Sequence, residues 1–360
     1  MEGASIAVGS GATGTSDSAD PTALWARAEG LVGRAPTVQS LLAHRLHLMA
    51  ARVWRSRGWT VPGVLEAEER RAGMIAMPAH PLLARARAAY GGQLMLMKGA
   101  EVAAHYLHPS DRFFCDLDLL ADDAPAAQRA LIEAGFVQCG DPVAYEHEQH
   151  LCPLVWPGIP LFIEVHRRPN SPAWLPAPPV EEILDLSVPS ATGVGGLLAP
   201  DPAAHALLLV AHGWAAHAPL ARLADLIDVA ALLPDDQRRR ADELARRWGW
   251  EGMWRVAASA GDAVLNDSAW PASLSVWARH LRGVRDRTVL EDHIARIAAP
   301  TAALPASRAP ATLVHALKGA TTRDQDELWS QKLRRTCLAV AHAFMARSRH
   351  HRTLSERQLQ

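Results

Sequence analysis

Two carboxylates two residues apart inside an apolar run are the strongest chemical signal in this 360-residue chain: Arg112-Phe113-Phe114-Cys115-Asp116-Leu117-Asp118-Leu119-Leu120. On a strand, successive side chains point to opposite faces, so Asp116 and Asp118 share one face while Cys115, Leu117 and Leu119 point the other way. Their Cα atoms then lie roughly 6.6 Å apart, close enough for their oxygens to share a divalent cation. Left bare, carboxylates about 4 Å apart repel by about 4 kcal/mol at an effective dielectric near 20. A bound cation relieves that repulsion. The bland alternative is a strand end carrying two solvated aspartates.

Two neighbouring stretches favour the chemical reading. Upstream, Leu94-Met95-Leu96-Met97-Lys98-Gly99 reads as a short buried strand, and Ala100-Glu101-Val102-Ala103-Ala104-His105-Tyr106 as a helix. Glycine at a strand-to-helix turn lets backbone N–H groups approach a phosphate at the positive end of the helix. Downstream, Leu161-Phe162-Ile163-Glu164-Val165-His166 reads as another apolar strand, with Glu164 and His166 on one face and Ile163 and Val165 on the other. Three carboxylates offer the oxygen ligands that hard divalent cations select.

Strand-glycine-helix, a strand with Asp-x-Asp, and a later strand with a third carboxylate together resemble the nucleotidyltransferase superfamily, which includes DNA polymerase beta and the aminoglycoside nucleotidyltransferases. Leu96-Met97-Lys98-Gly99, Arg112 before Asp116-Leu117-Asp118-Leu119-Leu120, and Ile163-Glu164-Val165-His166 are more closely similar to the bacterial uncharacterised nucleotidyltransferases, over roughly residues 40 to 235. The broader superfamily usually carries Gly-Ser where this chain has Lys98-Gly99, with a shorter gap to the aspartates.

The resemblance implies Mg²⁺ (or Mn²⁺) held by Asp116, Asp118 and Glu164, with an NTP as co-substrate. Glu164 would also help deprotonate the acceptor hydroxyl; a salt bridge from it to Arg112 or Arg167 is the competing role. Lys98 and Arg112 would neutralise the triphosphate, Gly99 would let it approach, and His166 would orient Glu164 or touch the acceptor. Lys98 and Arg112 have structural ion pairing as their alternative, Gly99 an ordinary tight turn, and His166 a satisfied structural histidine. The family also carries a histidine followed by a Leu-x-Asp-Leu segment. Here these are His212 and Leu223-Ala224-Asp225-Leu226, preceded by Arg222. They border the pocket or make core contacts between helices. His147 and His150, with Glu146, Glu148 and Cys152, form either a second metal cluster or a solvated strand.

The elements that must position these groups read as α+β: a small mixed sheet of nucleotidyltransferase type flanked by helices, then a mostly helical C-terminal domain that closes over the site. Residues 1–20, rich in Gly, Ser, Ala and Thr, carry almost no large apolar side chain and read as a disordered leader. Apolar spacing over 36–90 predicts three helices broken near Gly58-Trp59 and Pro78–Pro81. The nucleotidyltransferase core occupies 91–190, with a helix over 124–134, a strand over 136–139, and a hairpin of Tyr145–Trp156 with Ile159–His166 that delivers Glu164 beside the aspartates. The helical domain spans 200–347, with helices from Pro202 and over 221–233, 234–250, 253–265, 274–297 and 326–347, and the tail 348–360 frays. Its tryptophans read as core fillers rather than base-stacking platforms.

Composition bounds the partners. Lys plus Arg (37) nearly balances Asp plus Glu (38), and the sequence pI is near 7.0, which argues against general nucleic-acid binding and favours a small-molecule or peptide acceptor. The four cysteines have no CxxC spacing, so neither a disulfide framework nor a structural zinc site is expected. The start carries no signal-peptide pattern, and the longest apolar stretch, 203–218, is interrupted by His205, His212 and His217; the expectation is a cytoplasmic protein with no membrane partner. Two other readings compete: a fold that binds nucleotide or acts as an antitoxin-like module without turnover, and an Asp-x-Asp glycosyltransferase. The latter needs alternating strands and helices ahead of the motif.

Overall fold

The computed structural model describes residues 21–216 and 219–304, together with 307, 310, 314, 328–334 and 337. The expected leader (1–20) and tail (348–360) lie outside these residues. The helix expected over 326–347 lies largely outside them; 329–334 are helical.

Five helices precede the first strand: α1 (Pro21–Arg34), α2 (Val38–Ala43), α3 (His47–Ser56), α4 (Gly63–Ala76) and α5 (Ala79–Ala89). Breaks fall at the two places where glycine and proline interrupt the periodicity. A further break separates α2 from α3, where Arg45 takes a left-handed backbone (φ 56°), so four helices replace the three expected over this stretch. No glycine or proline marks that corner in the sequence.

The sheet then assembles from β1 (Leu94–Leu96), β2 (Asp116–Ala121), β3 (Val137–Gln138), β4 (Leu154–Val155), β5 (Phe162–His166), β6 (Ser187–Pro189) and β7 (Leu198–Pro200). Their order is β3-β4-β5-β2-β1-β7-β6. β1 runs antiparallel to β2 and parallel to β7, while β2 and β5 are parallel. The fold is therefore α+β with a mixed sheet. Helices α6 (Ala100–Ala104), α7 (Ala124–Glu133) and α8 (Val180–Asp185) fall between the strands.

The expected hairpin forms with a much shorter first arm. Only Leu154 and Val155 pair with β5 as a strand, and His150 adds an isolated bridge to His166. Pro142–Tyr145 forms a 3₁₀ turn instead, and Glu146, His147 and Glu148 are exposed. A run of polar residues has no apolar face to bury, so nothing drives it to extend the sheet.

The two faces of β2 meet different cores. Leu117, Leu119 and Ala121 join Leu94, Leu96, Ile163 and Val165 under α5 and α7. Met95, Met97 and Leu120 join the larger core built by the N-terminal helices and by α9 (Pro202–Ala216), α10 (Leu223–Leu232), α11 (Arg238–Arg247) and α12 (Glu251–Leu265). Asp116 and Asp118 lie on that second face, toward the C-terminal helices. Trp250 and Trp277 are fully buried core residues.

Two of the expected C-terminal helices are interrupted, while the one expected over 253–265 forms as Glu251–Leu265. The segment 234–250 opens with a 3₁₀ turn before α11, and 274–297 divides into α13 (Leu274–Trp277), α14 (Arg279–Gly283) and α15 (Val289–Ala303). Val284 ends α14 in a left-handed conformation, and Thr288 and Glu291 start α15 with a reciprocal capping box. No helix among the described residues is long and apolar enough to cross a membrane.

Candidate active site

The parallel pairing of β2 with β5 places Asp118 opposite Glu164 and Leu120 opposite His166. Ligand atoms of Asp118, Glu164 and His166 lie within 4.8 Å of one another. Asp116, opposite Phe162 one pleat earlier, stands outside that group.

Asp118 is the centre of the arrangement. It is 1% exposed. Its Oδ1 receives Lys98 Nζ at 2.9 Å and His166 Nε2 at 2.9 Å. Its Oδ2 is buried with no hydrogen-bond partner among the described residues. Burial alone would raise the pKa of this carboxyl; Lys98 and then His166 overcome it and hold the group well below the usual carboxylate range. The neighbouring Asp116 moves the other way, pushed up to about 6 by burial and by the charge of Asp118. Two adjacent carboxyls thus occupy different protonation regimes, the ordinary result when like charges share a site.

His166 loses some basicity to burial, but the hydrogen bond to Asp118 and the nearby Glu164 carboxylate raise it to about 9. At neutral pH it is an imidazolium that donates to carboxylates, so in this state it positions Asp118 and Glu164. Glu164 Oε2 lies 3.7 Å from His166 Nε2 and 3.8 Å from His150 Nε2. Arg112 and Arg167 take no part in its pairing. His150, read from sequence as part of a separate cluster, instead packs its ring 5.4 Å from that of His166.

Lys98 lies between the sheet and α9. Its Nζ is 3.1 Å from His212 Nε2 and 3.3 Å from Nδ1, so α9 reaches over the acidic strand at this point. Burial disfavours the ammonium, yet Asp118 and Asp116 keep its pKa above the ordinary lysine value. Access from solvent runs through the 14% exposed side chain of Lys98 and the 23% exposed side chain of Glu164.

Gly99 is required by geometry. Its φ is +65°, and a Cβ placed there would sit 2.7 Å from the backbone oxygen of Asp116. The turn leaving β1 therefore passes directly against the start of β2, an approach that only a residue without a side chain allows.

Arg112 faces elsewhere. Nε and Nη2 each lie 2.8 Å from Asp228 of α10, and Nη1 donates to the Gly99 carbonyl at 3.1 Å. Tyr106 donates its hydroxyl proton to the same Asp228 carboxylate at 2.6 Å. This planar two-pronged pair joins the Gly99 turn to α10. Asp228 had no sequence signal beyond its place three residues after Asp225. Asp225 lies beside Arg222, Gly213 and Trp214 around a cavity of about 20 Å³, room for about one water molecule.

Residues 43–260, more than half of the chain, match a family described as uncharacterised nucleotidyltransferase. The chain belongs to that family. No curated protein and no solved structure matches it. Membership supports nucleotidyl transfer as the class of function, and every site residue above falls inside the matched segment.

Proposed function

We propose that the protein moves a nucleoside monophosphate group from an NTP to a small-molecule or peptide acceptor, using Mg²⁺ or Mn²⁺ and releasing pyrophosphate. The observation that carries this is the buried, unpartnered Oδ2 of Asp118, in register with Glu164 and on the same face as Asp116. A desolvated carboxylate oxygen without a donor is costly unless a cation meets it. Asp118, Glu164 and Asp116 supply the hard oxygen donors that fit Mg²⁺ or Mn²⁺. When bound, the cation would offset charge on the reacting phosphates and orient them.

The chain's own groups divide the remaining work. Lys98, fixed by Asp118 and His212, places a positive charge where negative charge grows on the leaving pyrophosphate. Glu164, the most exposed of the grouped side chains, is the carboxylate placed to accept the acceptor's hydroxyl proton. His166 keeps both carboxylates aligned. Arg112, engaged with Asp228, acts on the site by holding the Gly99 turn. An Asp-x-Asp glycosyltransferase is disfavoured because five helices, rather than alternating strands and helices, precede β1.

The test is equilibrium binding of ATP and GTP with Mg²⁺ in wild type and in the Asp116→Ala, Asp118→Ala double variant, followed by pyrophosphate release over an acceptor panel. Metal-dependent binding lost in the variant is expected; equal binding in both refutes the proposal. Binding without any pyrophosphate release would instead favour a silent nucleotide-binding module.

A further inference from the structure

Three arginines meet at the entrance of β2, and the chemistry assigned above uses none of them. Arg45 occupies the corner between α2 and α3 with φ 56°, a left-handed conformation that side-chain-bearing residues rarely adopt. His44 fixes that corner. Its carbonyl accepts the Ala224 N–H at 3.2 Å, its Nδ1 accepts the Leu223 N–H at 3.3 Å, and its Nε2 lies 2.9 Å from the Arg285 carbonyl oxygen. Arg45 is thereby held beside Arg222, the residue that opens α10.

Phe113 gathers the other members. The guanidinium carbons of Arg45 and Arg71 lie 5.9 Å and 5.3 Å from its ring centroid. The ring of His47 lies 6.0 Å away; it is buried, and among the described residues neither of its nitrogens has a hydrogen-bond partner. Phe113 stands three residues before Asp116, so the cluster adjoins the acidic strand. Among the described residues no carboxylate forms an ion pair with Arg45, and Arg71 has only a loose one, 3.6 Å from Glu68 on its own helix. Burial and the nearby charge of Arg45 press the Arg222 pKa down to about 10. Asp225 supports the charge of Arg222, whereas Arg45 and Arg71, drawn to one ring with no close carboxylate among the described residues, repel one another until an anion meets them, and a strained backbone beside them is typical of a functional site.

We propose that Arg45 and Arg71, with Arg222 beside them and Phe113 as an apolar floor, bind a phosphate group at the mouth of β2. The planar guanidinium fork matches phosphate oxygens in pairs, which suits this composition. Two sources carry that chemistry: the polyphosphate of the NTP and a phosphorylated acceptor. Only this choice of source rests on the nucleotidyl-transfer reading; the anion site itself rests on the arginine geometry.

Titration calorimetry on the full chain decides the matter, with three probes: inorganic tripolyphosphate, ATP with Mg²⁺, and inorganic phosphate added over saturating ATP. Arg45→Gly removes the guanidinium while relieving the left-handed backbone, so its thermal midpoint should not fall below that of wild type. Arg71→Gln is a second, surface substitution that keeps the test open should the first perturb folding. Each variant is expected to weaken tripolyphosphate and ATP about tenfold or more. A loss confined to phosphate added over ATP also supports the site and assigns it to the acceptor. Wild-type affinity for all three probes in both folded variants overturns the inference, as does a wild type that binds none of them. If Asp116→Asn with Asp118→Asn abolishes ATP binding while the arginine variants bind normally, nucleotidyl transfer stands and the phosphate site falls. If the protein instead holds tripolyphosphate through the arginines and binds no ATP, the phosphate site stands and nucleotidyl transfer falls.

Discussion

Replacing Arg112 by methionine tests whether this arginine is a structural clamp. The side chains of Arg112 and Asp228 are 12% and 9% exposed, so solvent screens their pairing little. Arg112→Met removes both 2.8 Å contacts to Asp228 and the 3.1 Å contact to the Gly99 carbonyl, leaving the carboxylate with the Tyr106 hydroxyl as its side-chain donor among the described residues. An uncompensated buried charge of this kind costs about 3–5 kcal/mol. At roughly 2 °C per kcal/mol for a chain of this size, the thermal midpoint should fall by about 6–10 °C. Arg112→Met combined with Asp228→Leu removes both charges and should recover most of that loss, because well-packed apolar replacements of buried pairs are often neutral. Arg112→Lys keeps the charge but not the planar two-pronged contact and should fall between. Thermal unfolding followed by tryptophan fluorescence measures all four proteins. An Arg112→Met variant as stable as wild type would refute the clamp and return Arg112 to the set of residues available for the triphosphate.

Two further outcomes follow from the geometry. Gly99→Ala forces a Cβ to within 2.7 Å of the Asp116 backbone oxygen at φ +65°, and should cost about 3 kcal/mol in urea unfolding while weakening metal-dependent nucleotide binding; an unchanged midpoint would show that the turn relaxes freely. Burial lowers the pKa of His44, His47 and His205 to about 4, so the unfolded chain binds more protons between about 6.5 and 4, and stability should drop as pH falls through that window, by up to about 3 kcal/mol per histidine. His166, raised to about 9 against the pull of burial, contributes in the opposite sense: its stabilisation is present below about 6.5 and is lost as pH rises through 9. Urea midpoints at pH 7, 5.5, 4.5 and 9.5 check both signs.

Much of the site was legible in the chain alone. Period-two alternation put Asp116 and Asp118 on one face and Leu117 and Leu119 in a core, and the same rule aligned Glu164 with His166. Glycine and proline located two of the breaks among the N-terminal helices. Side-chain alternation and turn preference are local consequences of backbone geometry, so a single sequence displays them. The polar run 146–150 misled the hairpin assignment because β propensity without an apolar face does not extend a sheet. Nothing local marked the left-handed Arg45.

Residue order and type were enough to establish an inventory: three carboxylates on two strands, a lysine and a glycine at a turn, and the faces they share. How those groups are used was settled by packing. Parallel β2–β5 pairing puts Glu164 opposite Asp118 rather than Asp116. Docking of α10 gives Arg112 to Asp228, 116 residues away, and the corner before α3 leaves Arg45 and Arg71 around Phe113. Strand register and the partner of a buried charge depend on which distant segments come together, and that is fixed by burial and hydrogen bonding across the whole fold.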